Sequence, residues 1–515
     1  MGLQKDAWKK NRQSDHAPKL GGLLLGLLLS STPGVAADTF DDLFGRPSPA
    51  TKKPAIKAAP PTNQTAPGED KPAISPPPKS LEQPASKPAA DRTTPVPAAV
   101  LAQPEKAQPA PSKSKVTGFF QNDLAYTYAG NKHWSRFNNT LDLAAQGRTE
   151  GGLGWKLGGR VSYDPVYDLG DHYPGAVSKD QRFEATIREA FTDFSKGDWE
   201  FRIGRQHVVW GEMVGLFFAD VVSAKDLRQF VLPDFDMIRI PQWAARAEYF
   251  KGDFHLEGVW IPYMTYDNIG KPGAEFYPFT PLAAPGFQTV FAPEEKPRKL
   301  NDGGYGLRVS YLKNGWDTSG FYYTSNDPTA AYARTTTLLP TPTITYRPIH
   351  ERIHQVGATL GKDLGPMVLK AEAIYTKDKY FSTTNPAYVE GLVKQNIFDY
   401  IVGLEWSFPQ ETRFNAQVFQ RRFFNHEANI VPQKTESGFS VLLSTQALHP
   451  KLEPELLLVR SLNRNDWMAQ FKLTWKADGN WRLAAGVDVF EGPSNGLFGV
   501  FDNKDRVYTE ARYSF

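Results

Sequence analysis

The sequence predicts an all-β fold, a transmembrane antiparallel β-barrel. Three observations carry that expectation: a secretory start, a long run of residues alternating in polarity after position 115, and a terminal Phe515. The alternation has a period of two. On a strand this puts one set of side chains on each face, so one face suits hydrocarbon and the other water. Among Arg506–Phe515, the residues Val507, Thr509, Ala511, Tyr513 and Phe515 alternate with Arg506, Tyr508, Glu510, Arg512 and Ser514. The same rhythm runs through Trp155–Tyr163, Tyr305–Tyr311, Phe398–Trp406, Trp467–Trp475 and Trp481–Val489. Trp and Tyr recur at the ends of these segments, as interfacial girdles require.

Lys5, Lys9, Lys10, Arg12 and Lys19 make a basic opening, Leu20–Leu29 an apolar run, and Val35-Ala36-Ala37 a small-residue cleavage site. The apolar run is too short to span a bilayer, which takes about 20 residues, so residues 1–37 read as a signal peptide with Asp38 as the mature start. Residues 38–115 begin with the acidic-aromatic patch Asp38–Gly45 and continue in Pro, Ala, Lys and Ser. Such composition cannot bury enough apolar surface to offset the entropy of ordering. It is expected to be a disordered periplasmic tether, reaching on the order of 200 Å at about 3.1 Å per residue.

Residues 116–515 form the predicted barrel. Short turns rich in Gly, Pro, Asn or Asp are expected at Thr149–Gly154, Ser195–Asp198, Phe250–Asp253, Lys313–Gly315, Lys362–Pro366, Pro409–Thr412, Leu448–Glu453 and Ala477–Asn480. Between them lie generally longer connections: Asp164–Gln181, Gly211–Pro241, Met264–Gly303, Ser325–Pro342 and Lys377–Asn396. Short periplasmic turns and long outer loops are the barrel pattern. The count is 18 strands, with 16 as the alternative because Ser437–Ser461 is poorly patterned. Both chain ends fall on the periplasmic side.

Composition narrows the function. A net charge of +3 without blocks of like charge argues against a nucleic-acid partner. The absence of cysteine removes disulfides, thiolate metal sites and a lipidated cysteine. The nine histidines lie beside no nucleophile motif, so no enzyme and no cofactor is expected. His350 and His354 would sit about 13 Å apart on a strand, too far to share a metal. Strand parity points Arg160, Arg202, Arg246, Arg308, Lys370, Lys472, Arg482 and Arg512 inward, together with Glu248, Glu257, Glu372, Glu405, Asp488 and Glu510. A lumen of both signs is hydrated without a single-sign field, and most of these charges are expected to pair across strands.

The connection Gly211–Pro241 is the candidate site. It is long and partly apolar, with Leu216, Phe217, Phe218, Phe230, Val231 and Leu232 among its charges. A loop of that kind is expected to fold inward as a constriction rather than extend into water. Its candidate residues are Arg205, Trp210, Glu212, Asp220, Asp226, Arg228, Asp234 and Arg239, with Arg246 on the following strand. Strict alternation puts Arg205 outward, so an inward role needs a bulge at Gly204 or exit above the bilayer.

Within this stretch, Gly204-Arg205-Gln206, Trp210-Gly211-Glu212, Asp220-Val221-Val222 and Asp226-Leu227-Arg228 resemble a family of proteobacterial outer-membrane proteins known only as a domain of unknown function, distantly similar to alginate-export porins. The resemblance implies a porin-like channel or transporter for a specific solute, hydrophobic or lipid-like in character. It also implies a periplasmic or RND-type transport partner, and it supplies no catalytic residues. The alternative is a barrel anchor that recruits a periplasmic partner through residues 38–115.

Overall fold

The computed structural model describes residues 114–211, 213, 219–281 and 284–515. The expected signal peptide, the Asp38–Gly45 patch and nearly all of the tether lie outside these residues. The barrel strands, labelled in chain order, are β1 (Lys115–Thr127), β2 (His133–Arg148), β3 (Gly154–Tyr163), β4 (Phe183–Lys196), β5 (Trp199–Gln206), β6 (Gln242–Lys251), β7 (Phe254–Tyr263), β8 (Gly304–Lys313) and β9 (Trp316–Asn326), followed by β10 (Arg352–Asp363), β11 (Met367–Ser382), β12 (Leu392–Phe408), β13 (Thr412–Phe424), β14 (Thr435–Ser444), β15 (Leu452–Ser461), β16 (Trp467–Lys476), β17 (Trp481–Glu491) and β18 (Arg506–Ser514). Each strand pairs antiparallel with the next, and β1 closes on β18 in the register Phe119↔Ser514 to Thr127↔Arg506. Closure leaves no sheet edge, so every strand has a hydrogen-bonded neighbour on both sides. The Phe515 amide donates to the Gly118 carbonyl at 2.9 Å, and the reverse bond is equally short.

All eight expected turns fall where the residues placed them, on the side that holds both ends of the barrel domain. Two expected loops differ. Lys377–Asn396 is mostly strand: β11 runs on to Ser382 through an irregularity between Thr376 and Lys379, and only residues 383–391 connect it to β12. Within Ser325–Pro342, the segment Ala331–Thr337 joins Thr343–Ile349 and Gln288–Phe291 in a small sheet above the barrel. Strand extension beyond the membrane hides such loops from a pattern search, because polarity no longer alternates there.

The outer face is apolar. Leu157, Val161, Ile203, Leu307, Val356, Val402 and Val418 are all exposed. Exposed Trp199, Trp316, Trp475 and Trp481 mark the turn side, and Trp134, Trp243, Trp260 and Tyr305 the loop side. The poorly patterned pair, β14 and β15, is a normal antiparallel pair. Its pattern is blurred because Leu442, Leu457 and Val459 point inward and are covered by a loop, making both faces apolar. The expected lumen charges do pair: Arg160 with Asp142 at 2.8 Å, Arg246 with Glu248 at 2.7 Å, Lys370 with Glu405 at 3.2 Å, and Lys472 with Glu510 at 3.3 Å.

Candidate constriction in the lumen

Residues 207–241 connect β5 to β6, and the described part of this loop lies inside the barrel. Eighteen strands leave an interior wide enough to admit it. Locally it is held by a two-residue ladder, Ala224–Lys225 against Arg239–Ile240, and one helical turn, Phe235–Ile238. The ladder brings Arg239 Nε to 2.9 Å from Asp220 Oδ2, with both residues buried. Lys225 Nζ donates to the carbonyls of Asp220 and Ser223, at 3.0 and 3.1 Å. Neighbouring loop residues brace it from above, the Leu227 amide donating to the Asn268 carbonyl at 2.7 Å.

Two apolar contacts hold the loop to different parts of the wall. Near its start, Val208, Trp210, Ala219, Val221 and Val222 pack on Val259, Ile261, Phe321, Tyr323 and Ile374. Trp210 is fully buried, its ring 5.3 Å from that of Phe321. Further on, Leu232 and Phe235 pack on Leu442, Leu457, Val459, Met468 and Phe490 of β14–β17. Polar contacts follow the same path. The Ala219 amide donates to Glu372 Oε2 of β11 at 2.8 Å. Arg506 Nη1 of β18 donates to Gln229 Oε1 at 2.9 Å. Asp234 reaches Lys472 at 3.9 Å and Arg482 at 3.6 Å. Lys472 is midway along β16, and Arg482 is one residue from the turn-side end of β17, so the loop descends deep into the lumen.

Beside the loop remains a cavity of about 160 Å³. Asp123, Arg136 and Arg160 line it on the wall, and Asp226, Arg228 and Asp234 on the loop. Arg228 Nη2 lies 2.5 Å from both Asp226 Oδ2 and Glu184 Oε2, tying the loop to the base of β4 at the outer mouth. Burial alone would raise the Asp226 carboxyl, but the adjacent Arg228 guanidinium outweighs it and holds the group below its ordinary range.

The structure thus gathers Trp210, Asp220, Asp226, Arg228, Asp234 and Arg239 on one inward loop. Arg246 is on the facing wall, paired with Glu248 and with Glu257 at 3.7 Å, and has no ion pair to the loop among the described residues. Glu212 lies outside the described residues, as do Leu216, Phe217 and Phe218. Arg205 does not join the group. It stands opposite Ala190 and Trp243 in the ladder, on the face that carries exposed Ile203 and Trp243. Gly204 has φ +129° but causes no register shift, so the alternation runs through it and Arg205 points outward.

Sequence reasoning placed Glu372 in the lumen but not its loop partner, and it missed Gln229 and Glu184 entirely. Their partners are far away along the chain: Gln229 and Arg506 are 277 positions apart. No local pattern encodes such a pairing.

A closed barrel with an apolar outer band, aromatic girdles and a polar lumen is a porin-like protein of the bacterial outer membrane. The chain belongs to the family described as "Protein of unknown function (DUF1302)", which residues 122–515 match. No curated protein matches it. Among solved structures it is similar to Acinetobacter baumannii OccAB1 (TM-score 0.50, 8% identity, 78% of this chain and 96% of that one). It is also similar to Pseudomonas aeruginosa OccK8, or OprE (TM-score 0.47, 13% identity, 78% and 98%), and to P. aeruginosa OccK1, or OpdK (TM-score 0.46, 10% identity, 78% and 98%). At these identities the likeness concerns the fold alone. The similarity to alginate-export porins stays an expectation of the sequence.

Proposed function

We propose that the protein is a channel for a small solute, narrowed by its 207–241 loop. The observation that carries this reading is the loop's attachment to separate parts of the wall, Glu372 of β11 and Arg506 of β18. A loop merely capping the mouth would not reach a residue near the turn-side end of β17, as Asp234 does. In this reading Asp226, Arg228, Asp234 and Arg239 shape the constriction from the loop, with Trp210 and the Asp220–Arg239 pair as its braces. The remaining cavity is lined by guanidinium and carboxylate groups. Such a lining favours a small hydrophilic solute carrying charge over the lipid-like one that the family resemblance implied.

Planar-bilayer recording tests it. The full chain is expected to conduct in small steps, and replacing residues 213–237 with a short Gly-Ser linker to enlarge them. Absence of conductance from both proteins, each folded as judged by heat-modifiable gel migration, would refute the channel reading.

A further inference from the structure

At the outer mouth, five chain segments converge on one buried carboxylate, Glu275. His133 opens β2, His172 and Tyr173 come from the 164–182 loop, Glu275 from the 264–303 loop, Lys504 from the 492–505 loop, and Thr127 ends β1. His133 Nε2 lies 2.9 Å from Glu275 Oε2. The His172 ring stacks on that of His133 with centroids 3.6 Å apart. One ligand atom each of His133, His172 and Glu275 falls within 4.8 Å of the others.

We propose that His133, His172 and Glu275 form a binding site for a divalent transition metal of the zinc type, outside the lumen constriction. Two imidazoles and a carboxylate are a recurrent ligand set for such ions. Bonds of about 2.0–2.2 Å put tetrahedral ligand atoms roughly 3.3–3.6 Å apart, so His133 Nε2 and Glu275 Oε2, now 2.9 Å apart, would part slightly while the His172 ring turns out of its stack and closes on the ion by about 1 Å. The exposed His172 can make that movement.

The surroundings are those a metal site needs. The His133 Nδ1–H donates to the Asn131 carbonyl at 2.5 Å, which turns Nε2 toward Glu275; a metal would displace the Nε2 proton that this carboxylate accepts. Glu275 is oriented by the Thr127 hydroxyl at 2.8 Å and the Tyr173 hydroxyl at 2.9 Å. Lys504 Nζ sits 3.6 Å from Oε2, on a side chain still 31% exposed. It neutralises Glu275 without a metal and can rotate into solvent when one binds.

A second cluster, Glu248–His255–Glu257, lacks this freedom, because the half-buried Arg246 already bridges both carboxylates. It therefore serves as an internal control.

The test uses the full mature chain in detergent without a polyhistidine tag. Zn²⁺ is titrated calorimetrically and bound zinc is counted by elemental analysis after desalting. One ion per chain is expected. His172→Ala, at an exposed position that threatens the fold least, should weaken binding at least tenfold, and Glu275→Gln should abolish it. Lys504→Met should tighten it, a response that nonspecific binding would not give. His255→Ala should change nothing. Co²⁺ in place of Zn²⁺ should give the visible absorption of a low-symmetry site, lost in His172→Ala. No stoichiometric binding by the folded wild-type chain, or binding indifferent to His172→Ala and Lys504→Met, would overturn the proposal.

Discussion

Trp210→Ala is the sharpest probe of the inward loop. The indole is fully buried between the loop and the wall, with rings of Phe321 and Tyr323 at 5.3 and 5.9 Å. A buried Trp removes on the order of 200 Å² from water. At about 25 cal/mol per Å² that is roughly 5 kcal/mol, an upper bound for this contact. Large-to-small core changes of this kind cost roughly 3–5 kcal/mol. The wall itself is held by ladder hydrogen bonds that the substitution leaves intact, so the loss falls on loop attachment. At 1.4 kcal/mol per factor of ten, 3 kcal/mol raises the population of a detached loop by about a hundredfold. In single-channel recordings Trp210→Ala should therefore visit a large-conductance state far more often than the wild type. Trp475→Ala, on the lipid face, should not. If Trp210→Ala folds, shown by retained heat-modifiability, and its conductance traces match the wild type, then the loop does not narrow the pore.

Three other outcomes are expected. Arg506→Met removes the partner of Asp488, 2.8 Å away and fully buried, as well as that of Gln229. An orphaned buried charge costs about 3–5 kcal/mol, so the urea midpoint of unfolding should drop clearly, and a loss below 1 kcal/mol would contradict the pairing. Val356→Arg puts a charge on the middle of the lipid face and should cost about 2–4 kcal/mol in refolding into vesicles; tolerance there would mean that this face does not meet hydrocarbon. The depressed Asp226 carboxyl contributes stability that is complete above the ordinary carboxylate range and is lost as pH falls through its own lowered value. Acidification of that kind should loosen the loop and enlarge the conductance, and Asp226→Asn should show the looser behaviour already at neutral pH.

Spacing along one strand would put His350 and His354 about 13 Å apart; in the structure His350 precedes β10 and lies 2.9 Å from Glu294, and only His354 is on that strand. Yet His133 and His172, 39 positions apart in the sequence, stack at 3.6 Å because a loop folds back over the mouth. Parity along each strand likewise settled Arg160, Lys370 and Lys472 as lumen residues. It also put Arg205 outward, and the register agrees.

What the sequence determined by itself is whatever repeats at short range: strand number, turn positions, and the division of side chains between hydrocarbon and water. These follow from a period of two and from the demand that lipid leave no backbone group unpaired. Only the tertiary structure decided what fills the lumen and what gathers at its mouth. The Ala219–Glu372 and Gln229–Arg506 contacts join parts of the chain more than 150 positions apart, so barrel closure has to bring them together before their chemistry can act.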